Sequence, residues 1–497
     1  MSENSMKMDS RLRGNDGIES RYQAYPEYKN SGVEWIGSIP QDWGMWKIIH
    51  ACPYVASGTT PKAEGYSYYE GEYLWVTTGE LRETLIFDTQ KKVTKQALFD
   101  MSTLRLHPKG SVAIAMYGAT IGRLGIFGKD ATTNQACCVM PPSEILHNKY
   151  LFYWLYATRQ EIVNLSSGGG QPNVNQEKIA SLKVSAPTFE EQTQIALFLD
   201  HETAKIDTLI KKQQKLIKLL KEKRQAVISH AVTKGLNPDA PMKDSGVEWF
   251  KFLPTQWKVG KLGYFAKISN GATPSRENLA YWTDGTIGWL NSSKVNDIFI
   301  YNADQFISPL AVSQTSVKTV NANDIVMAIT GEGQTRGRVA ICKTSATINQ
   351  HLASISIRDA FLDYNYLFYW LTSAYERIRF ESTGAGSTKG AITCSDIVSY
   401  PLPIPPLTEQ FKIVAYIRNA EEKFNTLLQL ATEQITLLQE RRTALISAAV
   451  TGKIDVRNWQ PPVDSRLRGN DGEENGSEEE DPTDLVDEDC MDMEESL

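Results

Sequence analysis

The side chains best suited to catalysis are thinly spread. The histidines, His50, His107, His147, His201, His230 and His351, form no cluster. The cysteines, Cys52, Cys137, Cys138, Cys342, Cys394 and Cys490, contain no CxxC pair, so neither a zinc site nor a disulfide framework is expected. There is no P-loop, no HExxH and no GxSxG elbow. What recurs instead is glycine beside small polar or basic side chains. SSGGGQPN (Ser166–Asn173) and STGAGSTKG (Ser382–Gly390) can bring backbone N–H groups to phosphate. Their side chains Gln171, Asn173, Ser387, Thr388 and Lys389 are candidate base readers. Arg123 in GATIGRLG, and Gln334, Arg336 and Arg338 in GEGQTRGR, are candidates for guanine edges or phosphate. Thr59, Thr60, Thr77, Thr78, Tyr117, Thr273, Ser292, Ser293 and Lys294 complete the candidate nucleic-acid contacts. The plainer reading of each is a solvated turn at a strand end.

The chain that carries these groups repeats itself. SGVEW at Ser31–Trp35 recurs at Ser245–Trp249, and IPQDW at Ile39–Trp43 answers LPTQW at Leu253–Trp257. GTTP (Gly58–Pro61) answers GATP (Gly271–Pro274), Trp75 answers Trp289, and GRLGI (Gly122–Ile126) answers GRVAI (Gly337–Ile341). ATTNQ (Ala131–Gln135) answers ATINQ (Ala346–Gln350), YLFYWL occurs at Tyr150–Leu155 and Tyr366–Leu371, and EQ occurs at Glu191–Gln192 and Glu409–Gln410. Such a collinear series marks a duplicated domain-sized unit, since the period far exceeds a solenoid repeat. Between Glu80 and Lys109 the copies diverge, as expected of one scaffold carrying two readouts.

Each copy ends in a helical pattern without Gly or Pro, one from Glu190 and one from Thr408. Leu199, Ile206, Leu209, Leu216, Leu220 and Val227 trace a heptad-like seam in the first. Ile413, Ile417, Ala420, Phe424, Leu427, Leu438 and Leu445 do so in the second. At 1.5 Å per residue each helix is on the order of 65 Å long, too long for a small domain to bury alone. The economical arrangement is an antiparallel coiled-coil pair about a pseudo-two-fold axis, with a globule at each end. The globules read as mixed α and β. KGSVAIAMYG and NDIVMAITG are predicted strands, and the YLFYWL segments are predicted core helices. The expected divisions are a disordered tail 1–24, a domain 25–189, a helix 190–235, a domain 236–407, a helix 408–455 and a disordered acidic tail 456–497.

Composition at first argues against DNA: 52 basic and 59 acidic residues give −7. Thirteen of the acidic residues lie between Glu473 and Leu497, where there is no Lys or Arg, so the remainder is 52 − 46 = +6. No apolar run reaches the length of a membrane span and the N-terminus has no apolar leader, so a cytoplasmic protein is expected. The first helix carries eight Lys or Arg against two acidic residues between Lys205 and Arg224, by default a solvated face.

Taken together, YPEYKNSGVEWIGSIPQDW with its echo MKDSGVEWFKFLPTQW, the GTTP/GATP turns, the NQ pairs, the EEQ/TEQ helix openings and the closing RQAVISHAVTKGL and RRTALISAAVTGKI resemble the specificity subunits of type I restriction–modification systems. The likeness covers about Tyr25 to Ile454. It implies an α+β fold: two target recognition domains joined by two long antiparallel helices. It implies that each domain reads half of a split DNA target, that the helices set the gap, and that they dock two methyltransferase subunits. Restriction subunits then join. It implies no catalysis and no cofactor in this chain, S-adenosylmethionine belonging to the methyltransferase partner and ATP and Mg to the restriction partner. The alternative is a complete adenine methyltransferase with fused recognition domains. That enzyme needs a [DN]PP[YFW] motif, which Asn237-Pro238-Asp239 and Asp481-Pro482-Thr483 do not supply. A coiled-coil assembly protein leaves the two divergent globules unexplained. Two features depart from the pattern. The first helix is entered by SAPTFEEQ where the second has PIPPLTEQ, which suggests a different linker. DSRLRGNDG also occurs identically at Asp9–Gly17 and Asp464–Gly472, outside the duplication, as an inserted element translated twice would, with a terminal clamp as the rival reading.

Overall fold

A computed structural model describes residues 22–62, 68–166, 173–331, 333–383 and 390–461. Gln171, Ser387, Thr388, Lys389 and both DSRLRGNDG segments lie outside the described residues, as does the acidic stretch after residue 461. The chain forms two compact units, one of residues 1–206 and 440–497 and the other of 207–439. The long helices Phe189–Lys234 and Leu407–Val450 each contribute to both units.

Within unit 1 a five-stranded sheet runs Ala56–Ser57, Cys137–Met140, Val112–Ala115, Leu124–Phe127, Leu85–Ile86. A second sheet places Tyr69–Val76 between Ala131–Thr133 and Lys92–Val93. Unit 2 has the same order. Its five strands are Ala266–Asn270, Leu352–Ile357, Ile325–Ala328, Val339–Cys342 and Phe299–Ile300. Its second sheet has Ile287–Leu290 between Gln305–Ile307 and Ala346–Ile348, with Lys318–Val320 added at the edge. Even the parallel pairs match: Leu85–Ile86 with Leu124–Phe127 answers Phe299–Ile300 with Val339–Cys342. The stretch where the two sequences diverge therefore keeps its strand order, with one edge strand, Lys318–Val320, added in unit 2. Divergence has changed side chains on a retained frame.

The central strands are continuous apolar runs because both faces are covered. VAIA at Val112–Ala115 and IVMA at Ile325–Ala328 are buried at every position. All six residues of each YLFYWL are buried, as expected of core. The predicted helices around them break once, into Asn148–Ala157 and Arg159–Asn164, and into Tyr364–Ser373 and Tyr375–Glu381.

Each of these core helices grips both long helices. In unit 1 Tyr153 donates to Asp200 Oδ1 (2.8 Å), while Tyr150 Oη lies 2.6 Å from the Ser185 carbonyl and 3.2 Å from that of Val450. In unit 2 Tyr369 donates to Glu421 (2.7 Å), and Tyr366 Oη lies 2.9 Å from the Pro403 carbonyl and 3.1 Å from that of Val232. A buried phenol must find a partner, and burial holds both Tyr150 and Tyr366 protonated.

The recurring EQ pair locks helix to domain. Glu191 accepts from the indole of buried Trp43 (3.2 Å) and from Tyr25 (2.6 Å), and Glu409 accepts from buried Trp257 (3.0 Å). Gln192 and Gln410, both buried, each bond three backbone groups. These bonds include the Pro187 and Pro405 carbonyls alike (3.0 Å each), so the differing lead sequences do not produce a different junction.

Within unit 2 the helices run antiparallel, with Arg224 Nη1 donating to Asn425 (3.2 Å) near one point and Gly235 lying against Glu409 at another. Gly235 and Gly452 stop the helices with φ of +77° and +72°, a left-handed turn that favours glycine. The seam differs from expectation at three leucines. Leu199, Ile206, Ile417, Phe424 and Leu445 are buried, and Leu220, Val227 and Leu438 half-buried. Leu209, Leu216 and Leu427 are exposed by 47%, 43% and 37%. The half-buried rows pass instead through Ile210, Ile217 and Leu428, one residue on. One residue is about 100° of helix rotation, enough to leave the seam.

Segments expected in the tails also pack. Tyr22 stands edge-on to Phe198 (5.3 Å), the Asp455 amide donates to Gln23 O (2.7 Å), and Trp459 packs on Phe198 and His201 (5.3 Å each).

Candidate nucleic-acid interface

In each unit two strands of the second sheet run parallel and end at an NQ pair. The Asn134 amide donates to Val76 O (3.0 Å), and its side chain accepts from Ala136 N (3.2 Å). Asn349 repeats this with Leu290 O (3.0 Å) and His351 N (3.0 Å). The local side-chain turn leaves Gln135 and Gln350 exposed.

The GTTP and GATP turns lie against the same strand ends. The Thr59 amide donates to Thr133 O and the Ala272 amide to Ile348 O (3.0 Å each). Glycine is required by proximity. A Cβ at Gly58 would lie 1.9 Å from Thr133 O, and at Gly271 2.2 Å from Asn349 O. Trp75 and Trp289 then pin the turns, their indoles donating to Thr59 O (3.0 Å) and Ala272 O (3.1 Å). The outcome is the same in both units: Thr60 donates to Gln135 Oε1, and Thr273 donates to Gln350 Oε1. Alanine at Gly271 is expected to cost about 1–3 kcal/mol, because the turn must shift away from backbone. Urea denaturation checks this, and an unchanged midpoint contradicts it.

Beside this pair in unit 1 stands exposed Tyr117, bridged to Asn173, while the Met116 amide donates to Ala136 O (2.9 Å). In unit 2 the equivalent bridge is Thr330 with Ala391, and His351 Nδ1 lies 2.7 Å from Thr330 Oγ1. Thr77 and Thr78 continue from Val76, and Ser292 and Ser293 follow Leu290, so they border the same strand ends. Thr77 is held by Glu80 through its amide (2.6 Å), and Ser293 by Asn291 through its amide (2.9 Å).

Other candidates stand apart from this cluster. Arg123 is exposed on the turn before Leu124–Phe127. Lys294 is tied to Asp304 at 2.6 Å, which offsets its charge locally. Arg338 donates to Asn296 (3.0 Å) and Gln334 (3.3 Å), and it shares a cleft with Arg224 and Glu421 of the long helices. Arg336, expected at the surface, is buried at 3% exposure under Gly390, with Nε unpaired among the described residues. Packing has withdrawn it from a surface role. Three polar groups were missed: Gln135 and Gln350, although their NQ motif was visible as a repeat, and Arg276. The Arg276 guanidinium stacks 3.6 Å above Trp282 and donates to Gln305 (2.8 Å). No repeated motif marked it.

The buried cysteines among the described residues are packing groups. Burial pushes the Cys138 and Cys342 thiols up to about 12 and Cys52 to about 11, which leaves no thiolate at neutral pH. Burial lowers His107 to about 4, keeping it neutral beside Tyr54 (3.1 Å). Among the described residues no three His, Cys, Asp or Glu groups gather as metal ligands, and no helix is long and apolar enough to cross a membrane.

A family described as the type I restriction modification DNA specificity domain matches residues 40–219 and 254–437, once on each copy. The chain belongs to this family. The MjaIX specificity subunit of Methanocaldococcus jannaschii is 26% identical over 433 residues, covering 85% of this chain and 95% of that one. The EcoKI specificity subunit of Escherichia coli is 20% identical over 447 residues, covering 85% and 91%. Among solved structures, one chain of a type I restriction–modification system superposes with a TM-score of 0.64 at 17% identity, covering 83% of this chain and 98% of that chain. The HsdS subunit of Thermoanaerobacter tengcongensis gives 0.51 at 16% identity, covering 84% and 98%. The fold is that of two recognition domains joined by long helices. The chain is a DNA specificity subunit, non-catalytic in itself.

Proposed function

We propose that each unit reads one half of a bipartite, asymmetric DNA target in the cytoplasm, and that the long helices set the gap between the halves. The recognition domains are residues 25–189 and 236–407, and the spacer helices 190–235 and 408–455. The observation that carries this reading is one strand order used twice, with different side chains at the same strand ends. The DNA contacts are Thr59, Thr60, Thr77, Thr78, Tyr117, Arg123 and Asn173 in unit 1, and Thr273, Ser292, Ser293, Gln334 and Arg338 in unit 2. Gln171, Ser387, Thr388 and Lys389 belong to the same proposal from sequence.

Two methyltransferase subunits dock on the helices, bringing S-adenosylmethionine, and restriction subunits bring ATP and Mg. The exposed leucines support this: Leu209, Leu216 and Leu219 on the first helix, and Leu427, Leu430 and Leu437 on the second, are apolar groups that the described residues leave uncovered. The test is a mobility shift of the assembled complex on genomic fragments across a salt series. Retention of a few fragments at salt that releases the rest supports the reading. Equal release of all fragments contradicts it. S-adenosylmethionine binding by the chain alone would favour the fused methyltransferase.

A further inference from the structure

We infer that the Thr60–Gln135 and Thr273–Gln350 pairs form a duplicated clamp on the DNA backbone, each glutamine amide donating to a phosphate oxygen at the same place in each half-site without reading sequence. The inference rests on the proposal that both units bind DNA.

The first argument is retention. Most motifs shared by the copies are explained by packing: Trp43 and Trp257, Tyr150 and Tyr366, and Gln192 and Gln410 are buried. Thr60, Gln135, Thr273 and Gln350 are exposed, so packing does not hold them constant. Their surroundings have diverged. Ala136 stands where unit 2 has His351, and the bridge of Tyr117 with Asn173 is replaced by Thr330 with Ala391. The pair itself is kept, together with the glycine, tryptophan and asparagine that fix its geometry. A rigidly supported exposed polar pair, unchanged between two modules with different readouts, suits a ligand feature common to both half-sites. The sugar–phosphate backbone is that feature.

The second argument is hydrogen-bond capacity. Reading adenine requires a glutamine to offer its oxygen and its nitrogen together. Here the threonine hydroxyl already donates to Oε1 in both units. That bond fixes the direction of Oε1, whose second lone pair stays open, and the amide N–H is the group left to donate. Gln135 Nε2 has no partner among the described residues, and Gln350 Nε2 gives one hydrogen to His351 Nε2 (3.2 Å) and keeps one. A fixed neutral donor at a surface turn matches a phosphate oxygen and carries no base discrimination.

The test uses the full chain assembled with its methyltransferase subunits. Gln135→Leu, Gln350→Leu and the double variant are compared with the parent by fluorescence anisotropy. The duplexes carry the intact target or one scrambled half-site. Each single variant is expected to weaken binding about three- to tenfold on every duplex, with the two factors multiplying in the double variant. The methylated motif stays unchanged, and so does the slope of log Kd against log salt, because no charge is removed. A variant that accepts a new base at one position overturns the clamp in favour of a reader. Unchanged affinity in a complex with unchanged melting places the pair outside the interface. Should the leucine variants fail to assemble, Gln135→Glu sets a carboxylate against the phosphate. Loss of at least tenfold in affinity supports the clamp, and no loss overturns it. A parent complex that fails to bind the intact target overturns the DNA-reading proposal itself.

Discussion

Leucine in place of Gln410 is expected to lower the unfolding free energy of its unit by about 3 kcal/mol or more. The side chain is fully buried, with Nε2 donating to Phe361 O (2.7 Å) and Pro405 O (3.0 Å) and Oε1 accepting from Asp363 N (2.9 Å). Leucine fills nearly the same volume but leaves three backbone groups without partners. Each buried group left unmet costs about 1–3 kcal/mol, so the sum outweighs any gain from a more apolar side chain. Gln192 makes the same three bonds in unit 1, to Ile145 O (2.9 Å), Pro187 O (3.0 Å) and His147 N (2.8 Å), and Gln192→Leu should cost as much. Urea denaturation measures both. A loss below about 1 kcal/mol would show that the junction is held by the tryptophan–glutamate contacts alone.

Matched seven-residue deletions, residues 211–217 from the first helix and 432–438 from the second, should change the target gap while leaving both half-sites intact. Seven residues preserve the heptad phase and remove about 10.5 Å of helix. That length corresponds to about three base pairs at roughly 3.4 Å each. The expected methylation motif has its gap shortened by about three base pairs, or methylation is lost because the domains no longer meet the groove in phase. Methylation at the original spacing contradicts a ruler made of these helices.

Duplication made much of the fold legible. The unbroken apolar run of YLFYWL marks it as core, and all six positions are buried in both copies. The long helices followed from the absence of Gly and Pro up to Gly235 and Gly452. The seam was harder, because the first helix offers adjacent apolar pairs such as Leu209–Ile210 and Leu216–Ile217. Spacing alone does not decide which member faces inward when both fit a three–four pattern. The surface candidates were harder still. Arg336 reads like Arg338 in sequence, yet one is buried under Gly390 and the other half-exposed beside the long helices. Gln135 and Gln350 were visible as repeated residues, but their role depends on a turn brought from more than 70 residues away, which no local pattern encodes.

The central claim is two independent readers on one frame. Its most direct test is to exchange residues 60–165 for the same segment of a relative with a different target, and to map methylated adenines across a genome carrying the complete system. The account predicts a single split motif before exchange, and afterwards a motif in which one half has changed while the other half and the gap persist. A change in both halves, or in neither, would contradict it.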